Sequence, residues 1–296
     1  MQNTNKNKEP LQNTVKKVAA TDISAPLYPI DIKNFQRTVN DFYRKNKRTF
    51  PWREDITPYR VLISEVMLQQ TQVERVRAKY LFFLSLFPGF SSLAVAPLKK
   101  VVEAWQGLGY NRRALSLKKL SETVMERYGG ELPADRTELL TLRGVGEATA
   151  GAVLAFAFNT PVVFIETNIR RVFIHHFFDG EETVSDRHIA PLVEAALDGT
   201  NPRDWYYALM DYGSMLGKVV ANPNRRSTHY IRQLPFEGSD RKLRGDIIRI
   251  LIKADAATVD DISKSIGEKR KRAAALLSSM IREGLVTEDS GRYMID

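Results

Sequence analysis

The stretch Leu139-Leu-Thr-Leu-Arg-Gly-Val-Gly-Glu-Ala-Thr-Ala-Gly151 decides the fold. Its leucines end one short helix, Gly144-Val145-Gly146 permits a tight turn, and residues 148–158 begin an apolar helix. This pattern predicts a helix-hairpin-helix. Glycines let the backbone approach a neighbour closely, and the first amides of the second helix attract a phosphate anion. We therefore expect Gly144, Val145 and Gly146 to contact a nucleic-acid backbone without reading its sequence.

Downstream, Val162-Val-Phe-Ile-Glu-Thr-Asn-Ile-Arg-Arg-Val172 places Glu166 at the entrance of a new amphipathic helix. The helix dipole favours a charged carboxylate at that position, which suits a group that stabilises a developing positive charge. Glu166 and its neighbour Asn168 are therefore candidate catalytic residues. The alternative is an ordinary helix start with Thr167 or Asn168 as the capping residue, and the local sequence favours neither interpretation.

Composition limits the possible partners and cofactors. The chain has 296 residues, no cysteine, four histidines and a net charge of +9. The charge suggests a polyanionic partner, although it also fits a solvated surface. The lack of cysteine excludes disulfides and thiolate metal sites, so we expect no metal and no cofactor. No apolar run has the length of a membrane span, and Met1–Lys8 lacks a signal-peptide core. We expect a cytoplasmic, nucleoid-associated monomer without a membrane partner.

A second carboxyl group lies on the apolar face of an earlier helix. Glu65 falls three or four residues after Val61 and Leu62 in a helix that begins at Thr57-Pro58. Burial of an acid raises its pKa, which suits a general acid. The alternative is a structural glutamate held by an arginine, such as Arg53 or Arg113.

Two loops combine aromatic residues with cations or glycines. Trp52 and Arg53 follow Thr49-Phe-Pro and would suit stacking on a base, although core packing is the commoner role of such aromatics. Gly107-Leu-Gly-Tyr110 would suit a protruding wedge, and the alternative is a helix C-cap followed by a core tyrosine.

The organisation along the chain predicts three parts: a polar tail over residues 1–29, a helical domain over 30–236 and a small module over 237–296. The last part has three helical segments and two short strands around Asp289-Ser-Gly, which predicts a winged helix. Its third helix begins within Glu268-Lys-Arg-Lys-Arg272, so Lys269 and Arg270 are candidate DNA contacts. The same fold also serves protein–protein contacts.

Together these segments resemble the helix-hairpin-helix (HhH-GPD) DNA glycosylase superfamily, and within it the MutY adenine glycosylases. The resemblance covers residues from about Phe50 to Leu216. Its motifs occur in the family's order: Phe50-Pro-Trp-Arg53, Ser64-Glu-Val-Met-Leu-Gln-Gln-Thr-Gln-Val73, Trp105-Gln-Gly-Leu-Gly-Tyr110, Gly144-Val-Gly146 with Thr149-Ala-Gly151, and Ala208-Leu-Met-Asp-Tyr-Gly213.

The resemblance implies an all-α enzyme that binds double-stranded DNA with a mismatched or damaged base, flips that base out and cuts its N-glycosidic bond. Glu65 matches the acid that protonates the leaving purine. Glu166 matches the catalytic acidic position, with Asn168 beside it. The remaining matches are the hairpin residues including Thr149, the base-stack residues Gln70 and Leu108, the opposite-base neighbour Tyr110, and the base-pocket residues Trp52 and Arg53.

Four departures from the family's pattern affect the expected activity. The family usually has Asp at position 166. Ala148 occupies the position of the Schiff-base lysine of endonuclease III relatives, so a monofunctional enzyme without amine-dependent strand cleavage is expected. Gly217 stands where the four-cysteine iron–sulfur loop of most MutY relatives begins, so the cluster is expected to be absent. The winged helix replaces the family's domain that recognises 8-oxoguanine.

The sequence thus predicts an adenine glycosylase that acts opposite guanine or 8-oxoguanine. Two alternatives remain open. One is a glycosylase of the same fold for another base, such as mismatched thymine or uracil. The other is a DNA-binding protein without catalysis, which Glu at position 166 and the added winged helix suggest.

Overall fold

The computed structural model describes residues 29–232 and 235–296 of the chain. Almost all of the tail predicted over residues 1–29 lies outside this part. The prediction of a helical fold is confirmed, because the described residues form helices with only one small sheet. In chain order the helices are α1 (Pro29–Asn46), α2 (Pro51–Glu54), α3 (Pro58–Leu68), α4 (Val73–Leu86), α5 (Phe90–Val95), α6 (Leu98–Ala104), α7 (Arg112–Tyr128), α8 (Arg136–Thr141), α9 (Glu147–Phe158), α10 (Thr167–Phe177), α11 (Asp186–Ala196), α12 (Pro202–Val219), α13 (Asp240–Ala254), α14 (Val259–Ile266) and α15 (Arg270–Glu283).

The helices form two compact units that are not continuous in sequence. One consists of the described residues of Met1–Lys47 with Val163–Ile231, and we call it the carboxylate unit because it contains Glu166. The other consists of Arg48–Val162 with Arg232–Asp296, and we call it the hairpin unit. The sequence predicted a domain boundary between residues 236 and 237. In the structure, contacts join the C-terminal segment to residues 48–162.

The core of the hairpin unit is built on α3 and α9. Helix α3 begins as predicted, with Pro58 in its first turn and the Thr57 hydroxyl accepting a hydrogen bond from the Arg60 amide at 3.3 Å. Most of α3 is buried, and α9 is buried from Thr149 to Phe156. A helix that is apolar on all sides is stable only inside a protein, so α9 forms the centre of this unit.

The predicted helix-hairpin-helix is present as α8, a turn and α9. Gly144 has a φ of +86°, and a β-carbon there would lie 3.0 Å from the Ser116 β-carbon. Both the backbone conformation and the close approach therefore require glycine at this position. Gly146 is extended and serves as the N-cap of α9.

The core of the carboxylate unit is aromatic. The ring of Phe35 in α1 contacts Phe173 in α10 at 5.0 Å and Trp205 in α12 at 6.0 Å. These edge and tilted contacts are favourable arrangements for aromatic rings. They fix α10 against the two longest helices of the unit, and α10 carries Glu166 at its start.

The C-terminal segment contains the three helices and the strand pair from which the sequence predicted a winged helix. Helices α13 to α15 are followed by strands β2 (Thr287–Asp289) and β3 (Arg292–Met294), joined by Ser290 and Gly291, which both have positive φ. This is the backbone conformation of a tight hairpin turn. A strand missed in the sequence, β1 (Ala256–Thr258), adds to β3, giving the antiparallel order β1-β3-β2.

None of the helices in the part of the chain that the structure describes has the length and apolar character needed to span a membrane.

Candidate active site

Glu166 is the N-cap of α10, and its own carboxylate is the capping group. Its Oε1 accepts hydrogen bonds from the amides of Asn168 at 2.5 Å and Ile169 at 2.8 Å. Its Oε2 accepts from the Asn168 side-chain amide at 3.3 Å. The alternative in which Thr167 or Asn168 caps the helix is therefore wrong. One carboxylate oxygen is held by the backbone, while the other has only a long hydrogen bond.

Burial raises the pKa of Glu166 above its ordinary value, although the two amide hydrogen bonds and nearby Arg170 and Arg171 act in the opposite direction. The helix dipole, on which the sequence prediction rested, favours the charged form of Glu166. Desolvation has the larger effect on this pKa in the folded unit, where Glu166 is half-buried.

Asn168 connects Glu166 to α12. Its Oδ1 accepts a hydrogen bond from the Arg171 guanidinium at 3.0 Å, and the same guanidinium donates to the Gly213 carbonyl at 2.7 Å. Because the Asn168 amide group is fixed by this contact, its nitrogen faces Glu166. The structure thus brings together the two catalytic candidates of the carboxylate unit.

Close packing of α10 on α12 depends on glycine. A β-carbon at Gly213 would lie 2.6 Å from the Asn168 carbonyl oxygen, and one at Gly217 would lie 2.7 Å from the Arg171 guanidinium. Glycine at position 213 lets the backbone of α12 pass directly beside that of α10, whereas at position 217 it leaves room for the far end of the Arg171 side chain.

The segment after α12 forms a packed 3₁₀ helix, Pro223–Arg226. The Asn224 side chain donates to the Thr167 carbonyl at 3.0 Å, at the start of α10. Arg226 donates to the carbonyls of Phe178 and, at 3.3 Å, Ile174, at the end of α10. The segment therefore holds α10 at both ends, a role that the polar sequence did not reveal.

The resemblance to the MutY family predicts an iron–sulfur loop near this segment in most relatives. The residues of the segment do not fit such a cluster, because the chain has no cysteine to supply thiolates. Gly217 packs against Arg171, and the donors of Asn224 and Arg226 are used on backbone carbonyls of the unit.

Glu65 lies on α3 in the hairpin unit, where its side chain is half-buried between the buried residues Ser64 and Val66. One of its proposed structural partners, Arg113, has other acceptors. The Arg113 guanidinium donates to backbone carbonyls that include those of Val66 at 2.7 Å and Met67 at 3.0 Å.

In the hairpin, Gly144 and Gly146 lie exposed and Val145 is buried. Thr149, which was expected to contact DNA, is also buried, and its hydroxyl accepts a hydrogen bond from the Gln69 side chain at 3.1 Å. In this structure Thr149 connects α9 to the end of α3, and of the predicted hairpin contacts Gly144 and Gly146 are the exposed ones.

The predicted base-stack residue Leu108 and the predicted base-pocket residue Trp52 are buried. Leu108 is 3% exposed and packs inside the unit rather than forming a wedge. Trp52 stacks on Phe50 with ring centroids 4.8 Å apart and meets Tyr80 edge-on, which agrees with the alternative of core packing. Arg53 lies over the Phe50 ring. Gln70, the other predicted base-stack residue, is exposed, and its φ of 52° is unusual for a residue with a side chain.

The basic start of α15 is partly neutralised. Lys269 is the exposed N-cap of the helix, whereas Arg270 pairs with Asp260 at 2.8 Å. An exposed pair of this kind contributes little to stability, so it leaves Arg270 able to exchange partners.

Tyr110, the last of the predicted DNA contacts, lies in the turn before α7. It is half-buried and has a φ of 49°.

Comparison with known proteins gives the family. Residues 63–191 match the HhH-GPD superfamily of base excision DNA repair proteins. The adenine DNA glycosylase of Buchnera aphidicola subsp. Baizongia pistaciae is 32% identical over 186 residues, which are 62% of this chain and 52% of the relative. The adenine DNA glycosylase of Mycolicibacterium smegmatis is 30% identical over 277 residues, which are 86% of this chain and 93% of the relative. The chain thus spans about half the length of the first relative and nearly all of the second.

Among solved structures, that of a thermostable thymine-DNA glycosylase is 31% identical to this chain and superposes with a TM-score of 0.59. The match covers 63% of this chain and 87% of that protein. The family relationship is therefore supported by sequence and by fold, and relatives named for two different bases are similar to this chain.

Proposed function

Because the chain belongs to the HhH-GPD superfamily of base excision DNA repair proteins, we propose that it removes adenine opposite guanine or 8-oxoguanine in duplex DNA. It is a DNA glycosylase, a hydrolase of N-glycosidic bonds whose partner is double-stranded DNA. The observation that carries the proposal is the Glu166 carboxylate, held by the amides of α10 with one oxygen less fully bonded. The named activity of the adenine glycosylase relatives supports the choice of base.

In the proposed reaction the target base leaves the stack before its bond to C1′ breaks. The bonding electrons depart with the base, and positive charge develops on the sugar. Glu166 Oε2 stabilises this charge, because a fixed carboxylate in a partly desolvated site interacts more strongly than one in water. Water then adds to C1′ and loses a proton, leaving an abasic site.

Glu65 is proposed to protonate the leaving base, so that it departs as a neutral molecule. Asn168 orients the Glu166 carboxylate through the hydrogen bond to Oε2. No amine nucleophile is proposed, since Ala148 occupies the corresponding hairpin position. The enzyme is therefore proposed to be monofunctional, and its products should need alkali before the strand breaks.

The hairpin unit is proposed to supply the DNA contacts. The backbone of residues 144–146 would bind phosphate, and exposed Gln70 would enter the base stack. Leu108 and Trp52 are left out of this assignment because both are buried. We also propose a cytoplasmic location at the nucleoid, where such a substrate is found.

The test is a single-turnover base-release assay on duplexes that carry adenine, thymine, uracil or damaged bases opposite each partner, followed by alkaline cleavage. The expected result is release of adenine opposite guanine or 8-oxoguanine. Glu166→Gln should slow release by about 10²- to 10⁴-fold while duplex binding is kept. Glu194→Gln, an exposed change in α11 of the same unit, is the matched control and should leave the rate unchanged.

A second candidate is removal of mismatched thymine or uracil. The similarity to a thymine-DNA glycosylase over 87% of its length supports this alternative. The same assay separates the two, because release of thymine or uracil without release of adenine would overturn the adenine proposal. Release of no base by the unaltered protein would overturn both.

A further inference from the structure

Arg113 joins two turns of the hairpin unit that are distant in sequence. Its guanidinium donates to the Gln69 carbonyl at 2.7 Å and to the Thr71 hydroxyl at 2.8 Å, on either side of Gln70. It also donates to the carbonyls of Leu108 at 3.1 Å and Gly109 at 3.2 Å. One cation therefore holds the turn after α3 and the turn before α7 in a single arrangement.

Both turns contain a residue in the left-handed backbone region. Gln70 has a φ of 52° and Tyr110 a φ of 49°. Residues with side chains adopt this region only when the surroundings require it, and such strain often marks functional sites. The hydrogen bonds from Arg113 flank Gln70 and precede Tyr110, so they supply the constraint that keeps both residues in place.

A residue of the C-terminal module completes the arrangement. The Arg241 guanidinium in the first turn of α13 donates to the Tyr110 hydroxyl at 2.8 Å. It lies 5.5 Å from the centre of the Tyr110 ring, and the Arg113 guanidinium lies at the same distance from that ring. Arg241 also lies 5.4 Å from the ring of Phe236. Tyr110 thus contacts two cations, one from each of the two sequence segments that form the hairpin unit.

We propose that Arg241 is a specificity-determining positioning residue, through which the winged-helix module controls how Tyr110 meets the base opposite the excised one. The inference rests on the proposed function, and it takes from the family resemblance that Tyr110 lies near the base opposite the excised one. Arg241 itself touches Tyr110 and needs no contact with DNA. Its removal leaves the Arg113 hydrogen bonds in place, but it takes away one hydrogen bond to the tyrosine hydroxyl and one of the two cations beside the ring. The discrimination between opposite bases then falls while base release continues.

The test compares Arg241→Ala, Arg241→Lys and Tyr110→Phe in the full chain. Two ratios are measured. The first compares the single-turnover rates of base release with guanine and with thymine opposite the excised base. The second compares the affinities for duplexes that carry an uncleavable abasic-site analogue opposite the same two bases. Arg241→Ala is expected to lower both ratios by about tenfold, the size of one lost polar contact, and to change the rate on the preferred duplex by less than about threefold. Lysine should restore part of the preference because it keeps a donor.

A double variant shows whether the two residues act together. If Arg241 acts through Tyr110, Arg241→Ala combined with Tyr110→Phe should have nearly the effect of either change alone, because contacting residues are not additive. Arg249→Ala, an exposed change on the same helix, is the matched control and should leave both ratios unchanged. Thermal melting of each variant identifies any loss of folding.

Unchanged ratios in a folded Arg241→Ala protein would overturn the inference, and so would fully additive effects in the double variant. The affinity ratio needs no catalysis. A parent protein that releases no adenine would therefore contradict the proposed substrate, while the Arg241 inference would still be decided by binding.

Discussion

The Asn168 carbonyl oxygen lies only 2.6 Å from the position that a β-carbon at Gly213 would occupy. Helix α12 therefore touches the backbone of α10 one turn from the Glu166 carboxylate. Any side chain at position 213 must separate the two helices and shift the start of α10.

Gly213→Ala is expected to destabilise the protein by about 1–3 kcal/mol, the usual cost of overpacking a well-packed site. Base release should fall as well, because Asn168 and Glu166 move with the start of α10. Gly245→Ala in α13 is the matched control, since a β-carbon there has no atom within 4 Å. It should stabilise the fold by about 0.5–1 kcal/mol through helix propensity. Denaturant unfolding measures both effects, and equal stabilities of the two variants would contradict the packing argument.

Arg226→Ala removes the hydrogen bonds to the carbonyls at the end of α10. Loss of a charged donor that leaves buried acceptors unsatisfied costs about 1–3 kcal/mol. The melting temperature should fall, whereas exposed Arg225→Ala next to it should have almost no effect. If both variants melted like the parent, the 3₁₀ segment would not hold α10.

Glu166→Gln should lose activity without losing stability. Burial raises the pKa of Glu166 above 4.5, so between 4.5 and the raised value the folded protein binds more protons than the unfolded chain. The free energy of unfolding therefore falls as pH rises through that window, and the destabilisation is complete above the raised pKa. Gln keeps an oxygen that can cap α10 but carries no charge.

At pH 7 Glu166→Gln should melt at or above the temperature of the parent, with each kcal/mol gained shifting the midpoint by about 2–4 °C. The difference should shrink as the pH approaches about 4, where the parent carboxyl is also neutral. A variant that melts lower than the parent at pH 7 and equally at low pH would show that the charged form stabilises the fold.

Because His176 is largely buried, the protein should lose stability towards unfolding in acid. Burial and the neighbouring His175 lower the pKa of His176 from 6.5 to about 4, and its Nε2 lies 2.9 Å from the Tyr212 hydroxyl. Between these pH values the unfolded chain binds the additional proton, so the free energy of unfolding falls as the pH drops from 6.5 to about 4, by at most about 3 kcal/mol. His176→Gln should flatten this dependence in urea titrations, whereas His188→Gln serves as the control. A parallel pH profile for parent and His176→Gln would exclude His176 as the cause.

The Gly146→Asp variant should weaken DNA binding without destabilising the fold. Position 146 is an extended N-cap with open space around its β-carbon, so an aspartate fits without strain. The carboxylate should cap α9 and stabilise it slightly, but it also occupies the proposed phosphate position with a negative charge. Duplex affinity should fall, and the slope of log K against log salt should decrease by about 0.9, the value of one phosphate contact. Gly146→Asn, which caps without charge, is the control; an unchanged salt slope for the aspartate variant would remove the hairpin from the DNA contacts.

Local sequence determined the features that depend on neighbouring residues. Gly144 and Gly146 predict the hairpin because its turn needs a positive φ and an uncrowded backbone, and Glu166 falls at a helix start because an apolar run ends just before an amphipathic one. The three helices and strand pair of residues 237–296 follow from the same short-range periodicity. Motif order, which is also readable along the chain, identified the family.

Tertiary structure alone decided which side chains those elements expose. Leu108, Trp52 and Thr149 carry family motifs, yet their burial depends on partners from other helices. The sign of the Glu166 pKa shift depends on desolvation by the folded unit, which no local pattern contains. The contact of Arg241 with Tyr110 joins residues 131 positions apart. Such contacts follow from three-dimensional packing, so the sequence predicted the family and its local elements, and the fold determined the surroundings in which the proposed chemistry takes place.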